Sequence, residues 1–564
     1  MFDHTKYQPF PAIKLQNRTW PQNQITQAPL WCAVDLRDGN QALVEPMSVL
    51  EKQKIWALLI DMGFKHIEVG FPSASQTDFD FVRWLIEEDQ IPSDVTIQAL
   101  VQARDALIER TYEALKGAKQ AIVHVYNSTS PTQRNKVFKQ DKQGIINIAI
   151  NGARKVQQES EKYPNTQWTF QYSPESFSST EVEFAVEVSD AVMDVWQPSA
   201  DKKAIINLPA TVECAGPNVF ADQVEYFCQH IKQRDNIIIS IHTHNDRGCA
   251  VAAAEMAILA GADRIEGTLM GNGERTGNMD IVTMAMNLYS QGIDPQLDLS
   301  DAARITNTVE ACTKIATHPR HPWMGELVYT AFSGSHQDAI KKCLAIQEDD
   351  ATWDVAYLPI DPKDIGRDYQ SVIRINSQSG KGGVAYILES EFGIIMPRWM
   401  QIEVSMAVQH YSEKIEGEVN AQDIHEIFKA QFMNASVPHD PSSFELGNYQ
   451  IQCQQDAIQN EKEHIQVTLQ SDHCKVELSG QGDGALHAFC DALSNHLKSD
   501  IDIIQYGQES QGHHSHSDAM AFVQIKIDGQ KYTSAAKQQD SVGASLMAIL
   551  QATNQHIAGL QKAA

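Results

Sequence analysis

Two histidines separated by one residue, in His242-Thr243-His244-Asn245-Asp246, close an apolar run at 237–241 that reads as a buried strand. Residues two apart on a strand point to the same face, so both imidazoles can converge on one ion. With the Asp38 carboxylate the donor set becomes N2O, and Asn278 adds a neutral amide oxygen. With no thiolate beside it, such a set suits magnesium, manganese, zinc or cobalt in a site with open positions, rather than a closed structural zinc. An open divalent ion suits chelation of a 2-oxo acid through its keto and carboxylate oxygens, and polarises the ketone as a Lewis acid. Arg37, adjacent to Asp38, is placed to stabilise a developing alkoxide, and Thr211 to hydrogen-bond the substrate carboxylate. A His-x-His pair alone is more often two satisfied polar residues. The neighbours are what turn it into a candidate metal centre.

These residues need a scaffold that gathers strand ends. Strand-like runs fall at 30–34, 66–71, 96–101, 121–126, 168–172, 204–208, 237–241 and 264–269. Stretches of helical periodicity lie between them, among them 49–62, 145–162, 179–195 and 251–260. Eight strands alternating with eight helices predict an α/β fold, a (β/α)8 TIM barrel. The alternative, a doubly wound open sheet, normally has fewer strands and a Gly-rich first turn. Here that turn reads Asp35-Leu36-Arg37-Asp38-Gly39-Asn40. The barrel reading expects functional polar residues where strands end. They fall there: Arg37 and Asp38, Glu68, His124, Glu175, Asn207 and Thr211, His242 and His244, Asn272 and Glu274.

A chain of 564 residues is too long for one core. Residues 1–29 read as an N-terminal arm and 30–325 as the barrel. Residues 326–432 read as small, mostly helical linker subdomains that contribute to the active site, and 433–564 as a C-terminal α+β domain. That last region carries a βββα pattern twice, with helix starts at Gly482-Asp483-Gly484-Ala485 and Ser541-Val542-Gly543-Ala544. The expected result is one sheet face buried against two helices, with a quasi-symmetric cleft between the units. His513, His514 and His516 read as solvated loop residues. The net charge of -27 argues against nucleic acid or an anionic membrane as partner. No apolar run nears the roughly 20 residues that span a bilayer. Nine scattered cysteines without a CxxC, and no signal-peptide pattern, predict a cytoplasmic protein.

The segments Leu36-Arg37-Asp38-Gly39-Asn40-Gln41, Glu68-Val69-Gly70-Phe71-Pro72, His242-Thr243-His244-Asn245-Asp246 and Gly271-Asn272-Gly273-Glu274-Arg275 resemble the long form of the 2-isopropylmalate synthases. That family belongs to the metal-dependent barrel superfamily of Claisen-type condensation. The resemblance extends through Ser333-Gly334-Ser335-His336-Gln337-Asp338, the glycine-rich stretch at 376–383 and the doubled tail. It implies condensation of acetyl-CoA with 3-methyl-2-oxobutanoate, hydrolysis to 2-isopropylmalate, and a place at the head of leucine synthesis. It implies Asp38, His242, His244 and Asn278 as metal ligands, magnesium first, with a monovalent cation such as potassium as a candidate activator. Arg37, Glu175, His336 and Tyr369 match catalytic positions; Arg37, Leu100, His124, Ser173, Asn207, Thr211 and Glu274 match substrate-binding ones. It also implies a homodimer inhibited by leucine, which would meet Gly482, Gly484, Val542, Gly543 and Ala544 at the two helix starts. Two rivals stay open. One is a sister synthase for homocitrate or citramalate, decided by a few pocket residues such as Leu100, Ser173 and Pro209. The other is a non-catalytic, ligand-sensing barrel.

Overall fold

The computed structural model describes residues 5–8, 10–349, 351–367, 381–415, 419–433, 443–455, 461–471, 474–511 and 518–563. The chain divides into two compact units. The first is Met1–Val328 with Asp364–Gly366, and the second is Tyr329–Lys363 with Arg367–Ala564.

The first unit is a closed barrel of eight parallel strands in sequence order. They are β1 Leu30–Ala33, β2 His66–Gly70, β3 Thr96–Gln102, β4 Gln120–Ser128, β5 Gln167–Glu175, β6 Ala204–Ala210, β7 Ile237–Thr243 and β8 Arg264–Gly267. Trp31 of β1 pairs with Ile265 of β8 and closes the ring. The helices that follow the strands are α1 Val49–Asp61, α2 Gln76–Glu87, α3 Asp105–Leu115, α4 Lys142–Glu161, α5 Val182–Trp196, α6 Pro217–His230, α7 Ala250–Leu259 and α8 Ile281–Tyr289, with α9 Ala302–Thr313 beyond them. Alternation along each strand sorts the side chains. On β5, Trp168 and Phe170 point out to the helices, where Phe170 meets Trp196 of α5 at 5.1 Å between ring centroids and Trp168 meets Tyr112 of α3 at 4.6 Å. Gln171, Ser173 and Glu175 hold the opposite parity and face the barrel interior.

All eight expected strands form. β4 ends two residues and β5 three residues beyond the apolar runs, because Asn127 and Ser128 pair with Pro174 and Glu175. Glu175 is therefore the last residue of a strand, not part of the loop after it. The arm is pinned rather than free. Arg18 donates to both carboxylate oxygens of Asp222 on α6, at 2.7 and 2.6 Å, and Trp20 Nε1 donates to the same group at 2.8 Å.

The second unit opens with α10 Gly334–Leu344, α11 Lys381–Phe392, α12 Arg398–Ile415 and α13 Ala421–Phe428. Then come β9 Glu445–Gln455, β10 Glu461–Gln470, β11 Lys475–Gly482 and α14 Ala485–Leu497, followed by β12 Ile501–Gln511, β13 Asp518–Ile527, β14 Gln530–Gln538 and α15 Ser541–Ala563. The doubled βββα order is present, one sheet to each βββα unit. There are two separate three-stranded antiparallel sheets, β11-β10-β9 and β12-β13-β14. Their inner faces share one apolar core with the helices, including Ile465, Leu469, Phe489, Ile525 and Ile549.

The repeat is also unequal in burial. β10 alternates, with Ile465, Val467 and Leu469 inward and Gln466 and Gln470 exposed. β13 is buried on both faces from Met520 to Ile525. Its second face lies under the helical segment, where Gln524 Nε2 donates to Glu403 of α12 at 3.3 Å. Pro397 sits where a Cβ at Gly507 would be, 2.9 Å away. Among the described residues no helix is long and apolar enough to cross a membrane.

Candidate active site and metal centre

Three turns at the C-terminal ends of β1, β7 and β8 converge. After β1 the chain makes one π-helical turn, Asp35–Gly39. Its position is set from below: Asp35 accepts the Leu269 amide at 2.9 Å. Lys52 of α1, fully buried, donates to the Leu36 carbonyl at 2.8 Å and pairs with Asp78 at 2.9 Å. The turn thereby presents Arg37 and Asp38 into the barrel mouth. Arg37 Nη1 lies 3.0 Å from Asp38 Oδ1, and its Nε donates to Glu68.

The segment after β8 doubles back. Gly271 and Gly277 adopt φ of 71° and 106°, and Met270 and Arg275 are also left-handed. A Cβ at Gly277 would fall 2.1 Å from the Gly271 carbonyl oxygen, so only glycine closes this loop. The loop carries Asn278 back to a β-bridge with His244. Arg275 ties it down, donating to Asp246 at 2.6 Å and to the Thr211 carbonyl at 2.6 Å.

The ligand atoms offered by Asp38, His242 and His244 all lie within 4.8 Å of one another, and all three residues are buried. His242 Nε2 is 3.0 Å from Asp38 Oδ2, and His244 Nε2 is 3.3 Å from the same oxygen but without hydrogen-bond alignment. His244 Nδ1 lies 3.2 Å from the Ala210 carbonyl, to which it donates, leaving Nε2 bare. His244 Nε2 and Asn278 Oδ1 are both buried without a partner. Orphaned buried acceptors are costly, and two of them aimed beside a carboxylate fit a cation. The electrostatics agree. Burial alone would raise the Asp38 carboxyl, but Arg37 and the His242 imidazole hold it well below the usual carboxylate range. Burial alone would lower His242, but Asp38 and Glu266 lift it to about 9. A metal needs a bare nitrogen, so an ion held here would compete with the proton that these carboxylates favour on His242.

Around this cluster is a cavity of about 250 Å³. Arg37, Leu100, His124, Ser173, Glu175, Asn207, Thr211 and Glu274 line it together with the three metal-ligand candidates. His124 donates from Nδ1 to Glu68 at 2.8 Å, and its Nε2 lies 2.7 Å from Ser173 Oγ. Asn207 donates to the same hydroxyl at 3.1 Å, while its Oδ1 stays buried and unpartnered. Glu175 accepts from Ser128 Oγ, and burial raises its carboxyl above the usual range. Thr211 Oγ1 accepts the Ser176 amide at 2.9 Å, keeping its own O–H for a ligand.

Other residues fall elsewhere. His336 lies on α10 in the second unit, half-buried, its ring stacked on Tyr357 at 3.9 Å. Tyr369 and the histidines 513, 514 and 516 lie outside the described residues. In the tail, Val542, Gly543 and Ala544 stand in the first turn of α15. The Asp540 carboxylate accepts the Val542 and Gly543 amides at 2.9 and 3.0 Å, and the Asp540 carbonyl accepts that of Ala544. The start of α15 is thus capped by an anionic side chain. Gly484 leaves open space beside the start of α14, and Gly482 is the closing residue of β11. Sequence reasoning missed Gln41, Tyr126 and Arg275 on the cavity wall, and Gln98, Gln171, Arg264 and Glu266 beneath it. The last four had a readable signal: a polar residue at every second position of otherwise apolar strands.

The family profile described as HMGL-like matches residues 28–309. The profile described as "Alpha-isopropylmalate synthase, post-catalytic domain-like" matches 326–389, and the LeuA allosteric (dimerisation) domain matches 418–557. A 2-isopropylmalate synthase of Alcanivorax borkumensis is 53% identical over 98% of this chain and 97% of its own length. Another, from Pseudomonas entomophila, is 50% identical over 99% and 98%. Among solved structures, a hydroxymethylglutaryl-CoA lyase from Pseudomonas aeruginosa covers 52% of this chain and 95% of its own at 16% identity and a TM-score of 0.41. Sequence kinship from arm to tail, over a barrel that brings Asp38, His242 and His244 together, places this chain in the 2-isopropylmalate synthase family.

Proposed function

We propose that this protein condenses acetyl-CoA with 3-methyl-2-oxobutanoate and water to give (2S)-2-isopropylmalate and CoA. The observation that carries the reading is the pair of orphaned buried acceptors, His244 Nε2 and Asn278 Oδ1, beside Asp38 and His242 on the floor of a cavity that also holds Arg37 and Glu175. Asp38, His242 and His244 would hold a divalent ion, magnesium or another of its size class, with Asn278 alongside. Such an ion supplies Lewis-acid polarisation of the keto group. The chain's own groups do the rest. Thr211 donates to the 2-oxo acid's carboxylate. Arg37 faces the oxygen on which negative charge develops. Glu175, with a raised carboxyl, takes or relays a proton of the acetyl methyl group. His336 is assigned to the same proton chemistry, and Tyr369 to the catalytic set, by family resemblance alone. The new carbon–carbon bond forms between that methyl carbon and the keto carbon. Water then cleaves the thioester and releases CoA as thiol.

The cavity favours a branched alkyl chain over a second carboxylate. Leu100 and Pro209 line it, and its described cationic side chains are engaged, Arg37 by Asp38 and Glu68 and Arg275 by Asp246. The test is thiol release from acetyl-CoA in the presence of 3-methyl-2-oxobutanoate, pyruvate or 2-oxoglutarate. The expected ranking puts the branched substrate first, by at least the roughly 10-fold that one buried methylene confers. Equal or greater turnover with 2-oxoglutarate would assign the chain to the homocitrate reaction instead.

The tail is read as the site of feedback by leucine in a cytoplasmic homodimer. The LeuA allosteric (dimerisation) match over 418–557 supports this, and we assign the amino group to the Asp540 carboxylate at the head of α15. Leucine is expected to inhibit the intact protein in a way that excess 3-methyl-2-oxobutanoate does not fully relieve. Asp540→Ala should weaken that inhibition without changing turnover in its absence. Inhibition curves for both proteins decide it; a variant as sensitive as the parent removes Asp540 from the effector site.

A further inference from the structure

The interior of a (β/α)8 barrel is ordinarily filled by layers of branched aliphatic side chains. The middle layer of this one holds charge. Arg264 and Glu266 of β8 have no solvent exposure and lie 2.8 Å apart. Taking such a pair out of water costs several kcal/mol per ion, so it persists only where further hydrogen bonds complete both groups. Arg264 donates to His66 Nδ1 at 3.0 Å, Ser240 Oγ at 2.8 Å, Gln171 at 3.2 Å and Gln98 at 2.7 Å. Burial and the neighbouring guanidinium push His66 down to about 3, so that ring is neutral and accepts. The amides of Gln171 and Gln98 donate in turn to Glu266 Oε1, at 2.7 and 3.2 Å. Every one of these contacts is made through Oε1. The other oxygen, Oε2, faces His242 Nδ1 at 3.0 Å.

A neutral imidazole carries one proton, and the nitrogen that binds a metal must be bare. We infer that Glu266, clamped by Arg264, is a positioning residue for the metal centre: it accepts the Nδ1–H of His242 and so selects the tautomer that turns a bare Nε2 toward Asp38. The inference rests on the reading of Asp38, His242 and His244 as metal ligands. Strand register builds it in. Ser240 pairs with Arg264, and His242 with Glu266, across β7 and β8. The imidazole and its acceptor are thus held by adjacent, hydrogen-bonded strands rather than by loops, which keeps the ring angle fixed. A buried ion pair that merely filled the barrel would be replaceable without consequence for the ion.

The test uses the full chain with Mn2+ titrated calorimetrically and the visible absorption of the Co2+ form recorded. Glu266→Gln removes the acceptor charge but strands Arg264. The paired variant Arg264→Met with Glu266→Leu removes both charges and the acceptor, and apolar residues of similar volume often replace a buried ion pair without loss of stability. Both are expected to weaken Mn2+ binding by roughly 10- to 100-fold and to shift the Co2+ bands, with circular dichroism unchanged for the paired variant. His242→Ala is the control for the ligand set itself. If wild type binds Mn2+ and His242→Ala does not, yet the folded paired variant keeps wild-type affinity and spectrum, Glu266 is filler and the inference fails alone. If His242→Ala binds Mn2+ as wild type does, the ligand assignment fails and takes the inference with it.

Discussion

His242→Ala should leave a folded protein that neither binds a divalent ion nor turns over. Two nitrogens and one carboxylate form the buried His and carboxylate cluster, with the Asn278 amide oxygen beside it, and His242 sits at its centre, 3.0 Å from both Asp38 and Glu266. Removing it leaves one imidazole, and an alanine cannot bridge the two carboxylates. The lost Lewis-acid contribution is about 4 kcal/mol, which at 1.4 kcal/mol per tenfold is roughly a thousandfold in rate. A second consequence is visible without substrate. A ligand that binds only the folded state stabilises it, by about 2.7 kcal/mol at a hundred times its dissociation constant. Added Mn2+ should therefore raise the unfolding temperature of the wild type and leave that of His242→Ala unmoved. A variant that kept both the thermal response and its turnover would take His242 out of the site.

Glu175→Gln should reduce turnover on the order of 100- to 10,000-fold, the range of a positioned acid or base. It should do so while the ion still binds, since Glu175 is not one of the clustered donors. The pH profile separates a catalytic role from a structural one. Burial raises the Glu175 carboxyl above its ordinary range, with the Ser128 hydroxyl opposing in part. If its carboxylate is the base, kcat/KM rises as pH climbs through that raised value, and this acidic limb disappears in the variant. Stability runs the other way. A carboxyl whose folded pKa is raised favours the folded state while protonated, and that contribution is lost as pH rises through the folded value. Above that value the wild-type carboxylate is therefore a burden, and Glu175→Gln should unfold no more easily than the parent. Lower thermal stability together with an unchanged acidic limb would mark Glu175 as a structural residue.

Several features were legible because they depend on local order along the chain. Alternating apolar runs and helical periodicity set the eight strands and the helices between them, since period 2 and period 3.6 are properties of the backbone. His242 and His244 could be paired on one face from spacing alone. Convergence on Asp38, 204 positions earlier, required only that both lie at the C-terminal ends of strands in one closed ring. The doubled βββα order of the tail was equally local. What the tertiary structure alone decided is who satisfies whom. Alternation marks Arg264 and Glu266 as one polar face of their strand, but only closure of the barrel brings His66, Gln98 and Gln171 around them. Nothing near Lys52 in the chain announces that it is buried to hold the Leu36 carbonyl and so set the angle of Asp38. The two sheets of the tail have similar strand patterns, yet one is covered on its second face by α12 and its neighbours, because burial depends on what packs across a surface. Asp540, unremarkable in sequence, takes the amides at the start of α15 that a ligand's carboxylate would otherwise meet. Periodicity is written residue by residue. Desolvation, pairing of buried charge and the choice of imidazole tautomer arise only when distant segments close around one another and exclude water.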